Sequence, residues 1–261
     1  MLKNGQEVPI KSVGHALNIL NCFRHADALG ISEIAARLGR SKSTIHGMVN
    51  TLTQWGYLEQ NRENRKYRLG LTLLELGHLV RERIDIRSEA RPWCQQLTDK
   101  YSTTVHLAAV SDGEIVYIDK VDMGSSIVTY SRVGKRAPMY CTGIGKAILA
   151  YLPPEYLEKH IFSNPMERFT PNTIVERSLL IEELKKVREQ GYAIDNGEIE
   201  VGVQCLAAPV FDRDGFPAYA ISMSFLQARL EDISLPQISD NIKKYAAAIS
   251  ARLGYSQPCA R

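Results

Sequence analysis

Few cysteines, no long apolar run and little net charge together remove several classes of protein from consideration. The 261 residues include 5 cysteines, an odd number, and none of Cys22, Cys94, Cys141, Cys205 and Cys259 forms a Cys-x-x-Cys pair. A disulfide framework is therefore not expected, and a reducing cytoplasm is the simplest compartment. No apolar stretch reaches the roughly 18 residues of a membrane span, and the opening MLKNGQEVPIK has no apolar core of a signal peptide. No membrane partner and no cofactor are expected. The net charge of +3 is too small to mark a nucleic-acid binder by itself.

The charge is unevenly spread, however. Residues 1–70 hold ten Lys/Arg against five Asp/Glu, a net of +5, which leaves −2 for the rest of a chain whose total is +3. Positive charge is thus confined to one end. With 44% hydrophobic residues, the chain is long enough for a second domain with its own core.

The basic end carries two short helical patterns, ISEIAARL and KSTIHGMVNTLTQ, joined around Leu38-Gly39-Arg40. That spacing suits a helix-turn-helix. In the second pattern Ile45, Met48, Val49 and Leu52 form one apolar stripe, while Lys42, Ser43, His46, Gly47 and Asn50 lie opposite. Ser41 is placed to cap this helix, so Lys42, Ser43 and Thr44 would stand beside free backbone N–H groups that suit a phosphate. By itself the pattern fits an ordinary amphipathic surface helix equally well. The flanks favour DNA: Val13, Ala16, Leu17, Leu20 and Phe23 predict a preceding helix, and Tyr57-Leu58 with Tyr67-Arg68-Leu69 predict a hairpin. Its tip and arms carry Arg62, Arg65, Lys66 and Arg68, cations suited to phosphates. Three helices and a hairpin make a winged helix.

Beyond it, Leu73, Leu76, Gly77, Val80 and Ile84 form a stripe with no partner inside a small winged helix. We expect the helix over 71–84 to pack on a second subunit. Asp85 can cap a further helix, with Ile86, Ala90, Trp93, Cys94, Leu97 and Tyr101 on one face and Pro92 kinking or breaking it near its start. From residue 103 the period changes to two. Strands are predicted over 104–110, 114–121, 127–132, 203–211 and 217–225, and helices over 142–151, 154–162, 177–190 and along Ile238, Ile242, Tyr245, Ala246, Ile249 and Leu253. The fold class is α+β, with a mainly antiparallel sheet in the second domain.

Several segments together resemble one family. LGISEIAARLGRSKSTIHGMVNTL, KYRLG, TVHLAAVSDGEIVYIDKV, GKRAPMYCTGIGKAILA, VREQGYAIDNGEIEVGVQCLAAPVFDRDG and AISMSF occur in the order found in IclR-type transcriptional regulators, from Val13 to Gly254. The resemblance implies a winged helix-turn-helix over 1–70, a helical linker and dimer contact over 71–90, a GAF-like effector domain over 91–254 and a tail over 255–261. It implies a regulator, a repressor in kind, that binds double-stranded operator DNA as a homodimer or dimer of dimers and is not an enzyme. The family commonly has Arg where this chain has Gly47, which removes a base or phosphate contact and weakens the helix.

The resemblance further implies that a small carboxylate effector meets the backbone N–H groups of Gly143 and Ile144 and the side chains of Asp195, Cys205, Ser222 and Ser224. A carboxylate beside Asp195 would be repelled. Either Asp195 is protonated in the complex, or it accepts hydrogen bonds from ligand hydroxyl groups. The segment from Tyr130 to Pro138 is similar to that of members responding to sugar acids such as 2-keto-3-deoxygluconate or xylonate. Tyr130, Arg132, Arg136 and Met139 are further candidate effector contacts on this ground.

Other functions are weighed against this. A GAF-like sensor without DNA binding would be consistent with Gly47. A Cys hydrolase assembled from Cys141 or Cys205 with His106 and Asp195 has no nucleophile motif around either Cys. A metal site from His106, Cys141 and Cys205 lacks ligand spacing, so no metal is expected. The phosphate-loop likeness of Thr142-Gly143-Ile144-Gly145-Lys146-Ala147 fails, with Tyr140 at the first Gly and Ala147 at the Ser/Thr.

Overall fold

The computed structural model describes residues 9–82, 85–122, 131–227 and 234–256. It divides into two compact units, Met1–Ile84 and Asp85–Arg261.

In the first unit, helices α1 (Lys11–Asn21), α2 (Ile31–Leu38) and α3 (Lys42–Gln54) precede the hairpin of β1 (Leu58–Gln60) and β2 (Tyr67–Leu69), and α4 (Leu71–Glu82) follows. Gly39 ends α2 at φ 62°, a left-handed conformation that glycine adopts without strain, and this turns the chain into α3. Ile19, Phe23, Ile34, Ile45, Val49, Leu58 and Tyr67 share one core.

Two details differ from the expected pattern. Val13 and Leu17 of α1 are 52% and 56% exposed, while Ile19 is fully buried. The inward face is rotated because α1 is apolar around much of its circumference, and because a 3-10 turn over Cys22–His25 buries Phe23. Leu29 also joins the wing, exchanging backbone hydrogen bonds of 2.9 and 2.8 Å with Tyr67.

In the second unit, β3 (Thr104–Ser111), β4 (Glu114–Val121), β5 (Arg136–Pro138), β6 (Ala193–Asn196), β7 (Val203–Val210) and β8 (Tyr219–Leu226) form one antiparallel sheet in the order β5-β4-β3-β8-β7-β6. Helix α6 (Gly143–Leu149) packs on β6, β7 and β8 and against α8 (Arg177–Gln190), with α7 (Pro154–His160) between them in sequence. Helices α5 (Asp85–Tyr101) and α9 (Leu235–Arg252) pack on the strands and on each other. Strand alternation gives each helix layer its own face: Ala220, Ser222 and Ser224 point one way, and Ile221, Met223 and Phe225 the other.

Helix α5 runs through Pro92 as one element. Ile86, Ala90, Cys94 and Leu97 are all buried along it, so sheet packing outweighs the proline's missing hydrogen bond. Ile86 and Ala90 fall within the stretch read from sequence as linker, yet are buried in this helix. Strands β5 and β6, of three and four residues, were too short to show a period. Most of the strand expected over 127–132 lies outside the described residues, and Ser131 and Arg132 are not in a strand.

A bulge in β4 decides what faces where. Leu107 pairs with Asp119 and Ala108 with Tyr117, leaving Ile118 as the extra residue. Tyr117 and Asp119, two apart, therefore point to opposite faces. Asp119 meets Arg87 and Arg91 of α5 at 3.0 Å each. Tyr117 turns toward His106, with ring centres 5.3 Å apart.

Candidate functional site

Within the first unit, α3 presents a polar face. Ser41 caps the helix, its hydroxyl accepting the Thr44 N–H at 3.3 Å. Ser41, Lys42, Ser43, Thr44, His46, Gly47 and Asn50 are all exposed, whereas Ile45 and Val49 are buried. His46 Nδ1 and Asn50 Nδ2 lie 3.3 Å apart, so the two side chains brace each other across one turn. The wing tip is ordered by Asn61, whose Oδ1 accepts the Glu63 N–H at 2.8 Å, and by Arg65 at φ 59°. Arg62 and Arg65 stand exposed at this tip. Lys66 is drawn toward Glu33 at 3.3 Å, and Arg68 toward Glu59 at 2.9 Å.

Within the second unit, cross-strand register builds a polar floor. Asp195 pairs with Cys205, Cys205 with Ser224 and Ser224 with Thr104, a row across four strands. The next row holds His106, Ser222, Ala207 and Ala193. Its two alanines leave room for α6, and a Cβ on Gly143 would lie 3.4 Å from that of Ala207. Thr142 caps α6, its hydroxyl accepting the Gly145 N–H at 3.0 Å and donating to the Pro138 carbonyl at 2.9 Å. Gly145 itself admits no side chain, because a Cβ there would sit 2.2 Å from the Met139 carbonyl oxygen.

These pieces enclose a cavity of about 40 Å³ lined by Gly143, Ile144, Asp195, Cys205, Ser222 and Ser224, the six residues that the sequence resemblance had grouped. That volume holds one or a few waters, so a larger occupant requires the lining to yield. The remaining lining residues are His106, Tyr117, Ser131, Thr142, Ile199, Glu200 and Val203. Sequence reasoning missed them in this role. Thr104 and His106 alternate on β3 as Ser222 and Ser224 do on β8, a signal that was available; the turn carrying Ile199 and Glu200 has no period to read.

A hydrogen-bonded chain crosses the floor. Ser131 Oγ lies 2.5 Å from His106 Nε2, His106 Nδ1 lies 3.4 Å from Ser224 Oγ, and Ser224 Oγ lies 3.1 Å from Cys205 Sγ. Burial, helped by Lys120, depresses His106 to about 3, so the imidazole is neutral, donating from one nitrogen and accepting at the other. Burial pushes the Cys141 and Cys205 thiols up, with Asp195 adding to both. Protonated thiols make poor nucleophiles. Burial also raises the Asp195 carboxyl to about 7, against the opposing hydrogen bond from the Glu198 N–H at 2.8 Å.

Behind the cavity wall is an ion pair that the sequence did not reveal. Lys146, 1% exposed on its side chain, contacts Glu198 closely and Glu183 at 3.4 Å. The turn after β6 is also strapped by Thr170, which donates to the Gly197 carbonyl at 2.7 Å, and by Thr173, which donates to the Glu198 carbonyl at 2.6 Å. Glu198 Oε2 is buried with no hydrogen-bond partner among the described residues.

Three further candidates, Arg132, Arg136 and Met139, are not brought to the cavity lining. Arg132 is exposed. Arg136 is engaged by Glu114 at 3.0 Å and by the Ser111 hydroxyl at 2.8 Å. Met139 is fully buried in the core under Gly145. Tyr130 lies outside the described residues. Among the described residues no group of three or more His, Cys, Asp and Glu is placed to hold a metal, and no helix is long and apolar enough to cross a membrane.

Comparison with known proteins agrees along nearly the whole chain. Residues 12–62 match the IclR helix-turn-helix domain, and residues 78–251 match the bacterial transcriptional regulator IclR C-terminal domain. The chain is 40% identical over 247 residues to the HTH-type transcriptional regulator XynR of Escherichia coli, covering 94% of this chain and 98% of that one. It is 35% identical over 246 residues to the HTH-type transcriptional regulator KdgR of the same organism, covering 94% of each. Among solved structures, the Thermotoga maritima IclR aligns with a TM-score of 0.71 at 33% identity, covering 94% of this chain and 99% of that one.

Proposed function

The chain belongs to the IclR family of bacterial transcriptional regulators, and from that premise we propose that it is a cytoplasmic repressor of a sugar-acid catabolic operon, released or engaged by a small carboxylate held in the second unit's cavity. The carrying observation is the cavity itself, where residues from α6, β6, β7 and β8 converge although they are far apart in sequence. In this reading the effector carboxylate meets the first-turn N–H groups of Gly143 and Ile144, and its hydroxyl groups meet Ser222, Ser224 and the neutral His106. The protein acts by binding, not by catalysis. Its buried, protonated thiols support that over a Cys hydrolase.

DNA is contacted by Ser41, Lys42, Ser43, Thr44, His46 and Asn50 on α3 and by Arg62, Arg65 and Lys66 on the wing. Lys66 must leave Glu33 to do so. The protein works as a homodimer or dimer of dimers, an assignment supported by α4, where Leu71, Leu74, Leu76 and Leu79 are all exposed in the single chain. Two winged helices would occupy half-sites about 34–36 Å apart, or a multiple of that. The effector acts by favouring one of two arrangements of the pair.

Gel shift with the DNA upstream of its own gene tests the first half. Affinity should fall steeply between low and high salt, and Lys42→Ala should weaken binding to all sequences and reduce the log–log salt slope by about 1. A salt-independent complex would remove the DNA contact assigned here. Thermal-shift screening of aldonic, uronic and 2-keto-3-deoxy acids tests the second half: a ligand at about 100 times its Kd should add about 2.7 kcal/mol, and Ser222→Ala should diminish the shift. Stabilisation by aromatic acids alone would refute the sugar-acid assignment.

A further inference from the structure

We infer that the cavity takes its acid effector together with one proton from solvent, which Asp195 holds in the complex. This rests on the carboxylate reading above. The geometry that carries it is a mismatch of charge. Among the described residues lining the cavity the charged ones are Asp195 and Glu200, and none is Lys or Arg. A carboxylate entering here meets like charge at close range, with no cation among the described lining residues to offset it.

The cations nearby are engaged elsewhere. On α6, Lys146 is held by Glu198 and by Glu183 of α8, and its charge, which also favours ionised Asp195, is outweighed there by burial. Lys120 of β4 pairs with Asp122 at 3.7 Å and donates to the Ser131 carbonyl at 3.4 Å. Lys135, outside the lining, is attracted by Glu200 and repelled by Arg132, so its charge offsets Glu200 and not Asp195. The other titratable groups around Asp195 are neutral or negative: the protonated thiols of Cys141 before α6 and Cys205 on β7, neutral His106 on β3, and the carboxyls of Glu198 and Glu200 in the turn that follows.

Asp195 is 7% exposed, so water cannot screen the repulsion. Two carboxyl groups in such a place share a proton, as paired acids do elsewhere. The alternative, an ionised Asp195 accepting ligand hydroxyls, leaves both charges in place. Burial already brings Asp195 to about 7, so the proton is available near neutrality, and a second carboxylate raises that value further. The balance is simple: effector anion plus one H⁺ gives a bound carboxylate beside a neutral Asp195, which can donate to it. Affinity should then be level below about pH 6 and weaken up to tenfold per pH unit above about 7.

Isothermal titration of the full-length protein with D-xylonate and D-gluconate, at pH 7.5 in buffers of differing ionisation enthalpy, counts the protons. More than about half a proton should be taken up per site in the wild type, none in Asp195→Asn, and the wild-type amount in Glu200→Gln. Asp195→Asn should also lose the pH dependence of Kd. Binding of either acid without proton uptake overturns the inference and leaves the acid-binding reading standing. Uptake that persists in Asp195→Asn but vanishes in Glu200→Gln overturns it too. Binding of D-xylose or xylitol with no binding of either acid overturns both.

Discussion

Lys146→Met lowers the stability of the second unit by about 3–5 kcal/mol at pH 8, the cost of stranding a buried carboxylate. Met preserves the length and much of the volume of the side chain. What disappears is the positive charge that Glu198 faces in a site where both are almost fully buried. Burial raises the Glu198 carboxyl and Lys146 opposes that rise, so without Lys146 the carboxyl must ionise against a larger penalty. The sign follows: the deficit is greatest at high pH and shrinks as acid neutralises Glu198. Adding Glu198→Gln should restore most of the loss, since an amide carries no charge. Calorimetric melts of the three proteins at pH 5 and pH 8 decide it. If Lys146→Met stays within about 1 kcal/mol of wild type at pH 8, the pair is not the buried support described.

Asp195→Asn has the opposite effect, raising stability above neutral pH. The native carboxyl titrates near 7 against a reference of 3.8, so between those values the folded protein holds a proton that the unfolded chain releases. Stability therefore falls as pH rises from about 4 to 7 and remains lower above it, by up to about 4 kcal/mol. Asn keeps the acceptor for the Glu198 N–H and removes the ionisation, and its gain is reduced by whatever its amide donors leave unsatisfied. Melting temperatures measured from pH 5 to 9 should diverge with rising pH, the variant above the wild type. Parallel curves would mean that Asp195 is not held against its charge. A residue that costs stability in this way is what a binding site retains for function.

How far the sequence could be read depended on period and on distance. The stripe Ile45, Val49 showed α3 because a helix repeats its buried face within one turn, and Ser41 announced its start. The polar floor was legible in part, because Ser222 and Ser224 sit two apart on one strand, while family resemblance linked them to Asp195 and Cys205. Tyr117 was not legible. Only the bulge at Ile118 separates it from the face of Asp119, and nothing in an alternating strand marks such an insertion. Lys146 and Glu198 were invisible for another reason: they lie 52 residues apart, and their contact exists only once α6 is laid on the sheet. Arg136, by contrast, carried a plausible charge in a suggestive segment, but local partners at Ser111 and Glu114 had already claimed it.

Gly47 has open space around it: beyond its chain neighbours and the adjoining helix backbone, no atom of the described residues lies within 4 Å of where a Cβ would project. An exposed helical position without neighbours can accept almost any side chain, and most would strengthen α3 by up to about 1 kcal/mol over glycine. On the proposed DNA contact through α3, operator preference at this site would diverge by single substitutions, uncoupled from folding. On that same contact, position 47 is where duplicated copies of such a gene would acquire new binding sites while the rest of the regulator stays unchanged.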